Sequence, residues 1–171
     1  MTSPRPRTLR ATALAAGVAV VGLALAGCSA TNRITTDDPY GASDGIRVVL
    51  GDVRGSNLLV VSEAKGEPGN LLGGLINDST EDRTVTVSAG DDSTDVELGP
   101  KETVLLGGGD APEDGQATVI FSSVDVPPGG VLKVTISTPQ DGSTTADVPV
   151  LDGSLPEYAT AVPTPTPTPS D

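Results

Sequence analysis

Between Gly45 and Tyr158 the apolar residues come in short runs, most of them alternating with polar ones and closed by glycine, proline or acidic residues. That period of two places successive side chains on opposite faces of an extended chain, so each run predicts a half-buried strand. Ile46, Val48 and Leu50 alternate with Arg47 and Val49. Val85 and Val87 share one side, and Val96 and Leu98 leave Asp95 and Glu97 facing out. Ala117, Val119 and Phe121 alternate with Thr118, Ile120 and Ser122, and Leu132, Val134 and Ile136 with Lys133 and Thr135. Ala146, Val148 and Val150 close the series. Two runs do not alternate. Leu58 to Val61 predicts burial on both faces, and so does Leu71 to Ile76, where Gly73 and Gly74 predict a bulge or a close backbone approach. Asp141-Gly142 predicts a two-residue type I′ hairpin, and Pro149, lacking a backbone donor, predicts that the last strand lies at an edge. No stretch has convincing helical amphipathicity. The expectation is an all-β, Ig-like sandwich of about eight or nine strands. Its core is aliphatic, because Phe121, Tyr40 and Tyr158 are the only aromatic residues, and Phe121 is the expected large anchor.

The ends read differently. Arg5, Arg7 and Arg10 precede a sixteen-residue uncharged stretch, Ala11 to Ala26, which is shorter than the roughly 20 apolar residues that span a bilayer. It runs into Leu25-Ala26-Gly27-Cys28, and Cys28 is the only cysteine. A basic start, an apolar run and a small-residue site mark a cleaved secretory signal. Ending in cysteine, this one resembles the lipobox of bacterial lipoproteins, in which the sulfur receives a diacylglyceryl group. An uncleaved signal anchor is the other reading. The expected organisation is a lipoprotein signal peptide over 1–27, a flexible acidic tether over 28–44, a β-sandwich domain over 45–158 and a disordered Thr/Pro-rich tail over 159–171. Such a chain would sit on the outer face of the plasma membrane, held by its lipid. Within the tether, Ile34 has an edge strand folded onto the domain as its alternative. Alternate prolines from Pro163 to Pro169 favour polyproline II, a solvated spacer at about 3.1 Å per residue.

Charge and missing residue types narrow the chemistry. The formal net charge is −13. Loss of the three signal arginines would leave seven Lys and Arg against 23 Asp and Glu, near −16. That field disfavours nucleic acid and anionic lipid as partners. No histidine or tryptophan is present and Met1 is the only methionine. The usual neutral-pH base is therefore absent, a Ser-His-Asp triad is excluded, and a Ser–Lys dyad would have only Lys65, Lys101 or Lys133. A sugar-cleaving carboxylate pair would lack an aromatic-lined cleft. The expectation is no enzyme activity, no cofactor and a monomer. Asp91, Asp92 and Asp95, with Asp110, Glu113 and Asp114, are weak candidates for calcium ligands, without the EF-hand spacing. Gly107-Gly108-Gly109-Asp110 lacks the cation and following helix of a phosphate loop. Asn77-Asp78-Ser79 matches the N-glycosylation triplet, a frequent chance match. Thr164, Thr166 and Thr168 stand at Thr-Pro positions that resemble actinobacterial O-mannosylation sites.

Over roughly Gly45 to Tyr158 the chain resembles the LpqE-like actinobacterial surface lipoproteins. The features carrying this are the lipobox, the strand Leu71 to Ile76 ending in Asn77-Asp78-Ser79, and the closing Leu155-Pro156-Glu157-Tyr158. That group is similar in turn to the periplasmic copper chaperones (PCuAC-like) with a cupredoxin-like sandwich. The resemblance implies that fold. The chaperones hold Cu(I) with a His/Met set, and no residue after Cys28 matches it, so no metal ligand carries over. The functional expectation is a lipid-anchored, non-catalytic binding or envelope-associated module with an envelope protein as its possible partner. The alternative is a copper-delivery protein diverged from that family and lacking its usual ligands.

Overall fold

The computed structural model describes residues 43–107 and 112–163. Within them the chain forms β1 (Ile46–Leu50), β2 (Val53–Val61), β3 (Gly69–Asn77), β4 (Arg83–Ala89), β5 (Asp92–Leu98), β6 (Thr103–Leu106), β7 (Gln116–Ala117), β8 (Ile120–Phe121), β9 (Val131–Thr138), β10 (Gly142–Leu151) and one helical turn, α1 (Pro156–Ala159). The all-β sandwich expected from the alternating runs is the observed architecture. No helix among the described residues is long and apolar enough to cross a membrane.

One layer is built on β2 and β3, with β1 on β2, and β6 and β8 side by side on β3. The other runs β5-β4-β9-β10. The layers are continuous through β10, whose last residues pair in parallel with β2, Val150 with Val60 and Leu151 with Val61. On the opposite side Asp92 at the start of β5 accepts hydrogen bonds from the Ser122 backbone N–H at 2.7 Å and hydroxyl at 2.9 Å, joining the layers again. Between them lies a core of inward-facing aliphatic residues around Phe121, which is 1% exposed. Ile120, next to it, points the other way and is 38% exposed.

Two local expectations are corrected and two are met. Pro149 forms the last pair of the β9–β10 ladder, opposite Val131, and up to that residue β10 is the edge of its layer, as expected. Val150 exchanges backbone hydrogen bonds with Gly129 and Gly130, so the nitrogen of Pro149 faces away from β9. Pairing with β2 begins only at Val150, and the missing donor falls where no partner waits. The Asp141-Gly142 turn is not type I′, which needs two positive φ angles. Gly142 pairs with Thr138, only Gly142 has a positive φ (81°), and Pro139 to Asp141 form the loop. The bulge forms opposite Gly73 with its extra residue in β2, and the close backbone approach expected at Gly73 is observed. Register shifts between Ser56 and Leu59, Asn57 takes φ 53°, and a Cβ at Gly73 would lie 2.6 Å from the Asn57 carbonyl oxygen. Finally, Ala117 to Phe121 is two short strands, because the chain steps from β6 to β3 at Val119.

Candidate functional site

Among the described residues, those singled out for calcium do not assemble. Asp92 is taken up by Ser122, and the Asp95 carboxylate accepts the Thr86 hydroxyl at 2.6 Å across the β4–β5 ladder. Asp91 is exposed in the hairpin turn, and Glu113 and Asp114 are exposed in the loop before β7. Asp110 lies outside the described residues, as do Leu25, Ala26, Gly27 and Cys28 and the threonines Thr164, Thr166 and Thr168. Among the described residues no three His, Cys, Asp or Glu side chains gather where they would hold a metal ion.

Two polar groupings resemble chemistry but serve structure. Ser62 and Lys65 stand at Ser-x-x-Lys spacing. Ser62 is fully buried, however, and its hydroxyl donates to the Ala64 carbonyl at 3.2 Å and bends toward that of Glu67 at 3.4 Å. It closes the β2–β3 turn and meets neither lysine nor solvent. At the other end of β3, Asn77 is fully buried. Its Nδ2 donates to the carbonyls of Glu81 (2.7 Å), Gly99 (2.8 Å) and Leu98 (3.3 Å), while its Oδ1 accepts the Ser79 N–H and hydroxyl. The Asn-Asp-Ser triplet is thus a turn organiser whose asparagine is inaccessible to any glycosylating enzyme. Beside it Arg54 grips Asp78 with two nitrogens, and Lys101 donates to the Asp78 carbonyl. The Arg54 hydrogen bond holds the Asp78 carboxyl below its usual range.

The remaining feature is on the outer side of β2 and β3. Leu58 and Val60 face the core, so Leu59 and Val61 face outward. They belong to no part of the central cluster, yet they are 1% and 0% exposed. Their cross-strand neighbours are Leu72 and Asn70. On this side Asn70 meets the chain after β10, and Gly107 lies beside Leu72. Residues 152–163 form a strap that turns through α1 and returns, with Val162 against Gly153 and the Ala161 carbonyl accepting Asn70 Nδ2 at 3.2 Å. A Cβ at Gly153 would come within 2.4 Å of a Val162 methyl, so any larger residue there would push that side chain aside. The strap is tied to the start of the domain by the Tyr158 hydroxyl, which donates to Asp44 at 2.7 Å. That bond, with lesser help from partial burial and nearby charge, pushes the phenol up to about 12. Beneath the strap Asn70 is 5% exposed, and its Oδ1 has no hydrogen-bond partner.

The strap was not foreseen, since Ala159 to Pro163 read as the beginning of the tail. The signal for it lay in Leu58 to Val61: an apolar run buried on both faces needs a cover on its second face, and no strand was assigned to supply one.

No family model and no curated protein sequence matches the chain. Among solved structures it is similar to the apo PCuAC domain from PmoF1, at 17% identity and a TM-score of 0.47 over 61% of this chain and 98% of that one. It is similar also to the copper-bound PCuAC domain from PmoF2, at 20% identity and 0.45 over 63% and 98%. The apo form of that PmoF2 domain gives 18% and 0.48 over 64% and 98%.

Proposed function

We propose that the chain is a lipid-anchored extracytoplasmic protein that works by binding, as a non-catalytic module at the cell envelope. The observation carrying this reading is Leu25-Ala26-Gly27-Cys28 placed after a basic start and an apolar run, with the sequence's only cysteine at its end. A diacylglyceryl cysteine supplies two acyl chains, at about 0.8 kcal/mol per buried CH₂, enough for stable anchoring where a single chain is marginal. Within the domain Asn77, Ser62, Asp92 and Asp95 are engaged in holding turns and ladders. The LpqE-like lipoprotein resemblance belongs to the same reading. Cys28→Ala is the test: the variant is expected as unprocessed precursor or as protein shed into the soluble fraction. Its recovery as a normally processed, membrane-bound form would overturn the anchor.

The second reading is copper delivery, prompted by the copper-bound state named for one solved neighbour. Cu(I) selects thiolate, thioether and imidazole donors. After Met1 the sequence offers only Cys28 among these, and lipidation makes that sulfur a thioether at the membrane. We expect no submicromolar Cu(I) binding in a competition titration of the full chain. Tight stoichiometric binding would make copper delivery the better reading.

A further inference from the structure

We infer that the strip formed by Leu59, Val61, Asn70 and Leu72 on the outer side of β2 and β3 is a docking site for an extended, apolar peptide segment with a cationic flank, and that the strap 152–163 occupies it in cis as a displaceable stand-in. This deepens the binding-module reading and rests on it.

Three observations point there. The first is the cover itself: Leu59 and Val61 are buried outside the core, on the side where Ala161 meets Asn70. The second is the incomplete match. A peptide group carries one donor and one acceptor, and a side-chain amide complements both. The strap offers Asn70 only an acceptor, the Ala161 carbonyl, and leaves Oδ1 buried with no donor. An extended segment presenting both an N–H and a C=O to Asn70 would satisfy the whole amide, so the strap is the poorer occupant. The third is how the strap is held. None of the α1 residues is buried, and its tie to the domain start is the exposed Tyr158–Asp44 hydrogen bond.

The surroundings specify the ligand further. Ile120 pairs with Asn70 across the ladder and is 38% exposed, which extends the apolar strip. Glu63 lies beside Gly153, and the strap brings Asp152 and Glu157 with no basic residue. A competing segment carrying Lys or Arg where the strap carries acids would gain in this field.

The probe is a labelled synthetic peptide of residues 152–163, added in trans to the full chain in detergent micelles. A second peptide has lysine in place of Asp152 and Glu157. Loosening the latch raises the fraction of open sites, so both Tyr158→Phe and Asp44→Ala should bind the peptide about tenfold more tightly than the unaltered chain. The lysine peptide should bind more tightly than the first, and Asn70→Ala placed in the Tyr158→Phe background should abolish binding. Hydrogen exchange on the unaltered chain adds a readout free of substitutions, with the strap amides of Tyr158, Ala159 and Ala161 exchanging well before those of β2 and β3. Equal affinity for latched and loosened chains, binding that survives Asn70→Ala, or strap amides exchanging together with the core would each overturn the inference. Micelles remove the membrane from the assay, so failure of the lipid anchor and failure of this site remain distinct results.

Discussion

β3 carries a buried asparagine at each end, and the two live in opposite circumstances. Asn77 spends both ends of its amide: three carbonyls receive its Nδ2 and two donors of Ser79 reach its Oδ1. Asn70 makes one bond of 3.2 Å, and its oxygen faces no donor. Buried polar groups gain little from being satisfied but lose heavily when they are not. The Asn77 end, where the β1–β2, β3–β4 and β5–β6 turns meet, is therefore a locked end. At the Asn70 end the strap meets the outer side through one side-chain hydrogen bond, and the buried amide beneath it is left half satisfied.

Two substitutions at the Asn70 end measure how far that looseness penetrates. Phe121 and Ile120 are consecutive residues of β8, paired with Gly69 and Asn70. Phe121→Ala should cost about 3–5 kcal/mol, since it empties the largest side chain of the core. Ile120→Ala, on the strap side and already part-exposed, should cost less than about 1.5 kcal/mol. Denaturant unfolding of both variants is the check. Similar losses would mean that the inner and outer sides of β8 are equally packed, and the contrast drawn between core and strap would fail.

The asparagines themselves come next in size. Asn77→Ala removes the bonds that tie Glu81, Leu98 and Gly99 to the end of β3 and takes the acceptor from the Ser79 N–H, and should cost about 2–3 kcal/mol. Asn70→Ala gives up one long bond while removing an orphaned oxygen, so its effect should stay within about 1 kcal/mol. If the two variants melt alike, the locked and loose ends do not differ energetically.

Much of this contrast was out of reach from the sequence, for reasons that particular residues make plain. Alternation at Val85 and Val87, Val96 and Leu98, and Leu132 to Ile136 fixes strands and inward faces, because a half-buried strand has only one sensible pattern. Phe121 as anchor followed from the scarcity of aromatics. Pro149 pointed to an edge correctly, since β10 has a partner on one side only until Val150, where β2 takes over; that takeover left no mark in the sequence. Asn77 and Asn70 look alike as letters, each beside an apolar run, and what separates them is where distant carbonyls fall. Gly99 is 22 residues from Asn77, and Ala161 is 91 residues from Asn70. Such separations leave no periodic trace. The strip beneath the strap required knowing that the chain after β10 turns back so that Ala161 meets Asn70 of β3.

The smallest expected effect is the most selective, because it reads the latch and not the core. Tyr40 and Tyr158 are the only tyrosines and there is no tryptophan, so Tyr40→Phe leaves a single ultraviolet reporter on the strap. A free phenol loses its proton near 10, whereas hydrogen bonding to Asp44 pushes Tyr158 up to about 12. The neutral phenol is the form that donates to the carboxylate, so the folded value lies above the unfolded one. The latch contribution is then fully present below about pH 10 and is lost as pH rises through about 12. Spectrophotometric titration should find Tyr158 ionising near 12 in the Tyr40→Phe chain and at lower pH once Asp44→Ala removes the acceptor and its charge. Opening should be confined to the strap: amide exchange at Ala159 and Ala161 should accelerate over that interval while Leu71 and Leu75, in the core, remain protected. A phenol that titrates near 10 with Asp44 in place would show that the hydroxyl is not held. The loose end of β3 would then be loose for want of a latch rather than because the latch is weak.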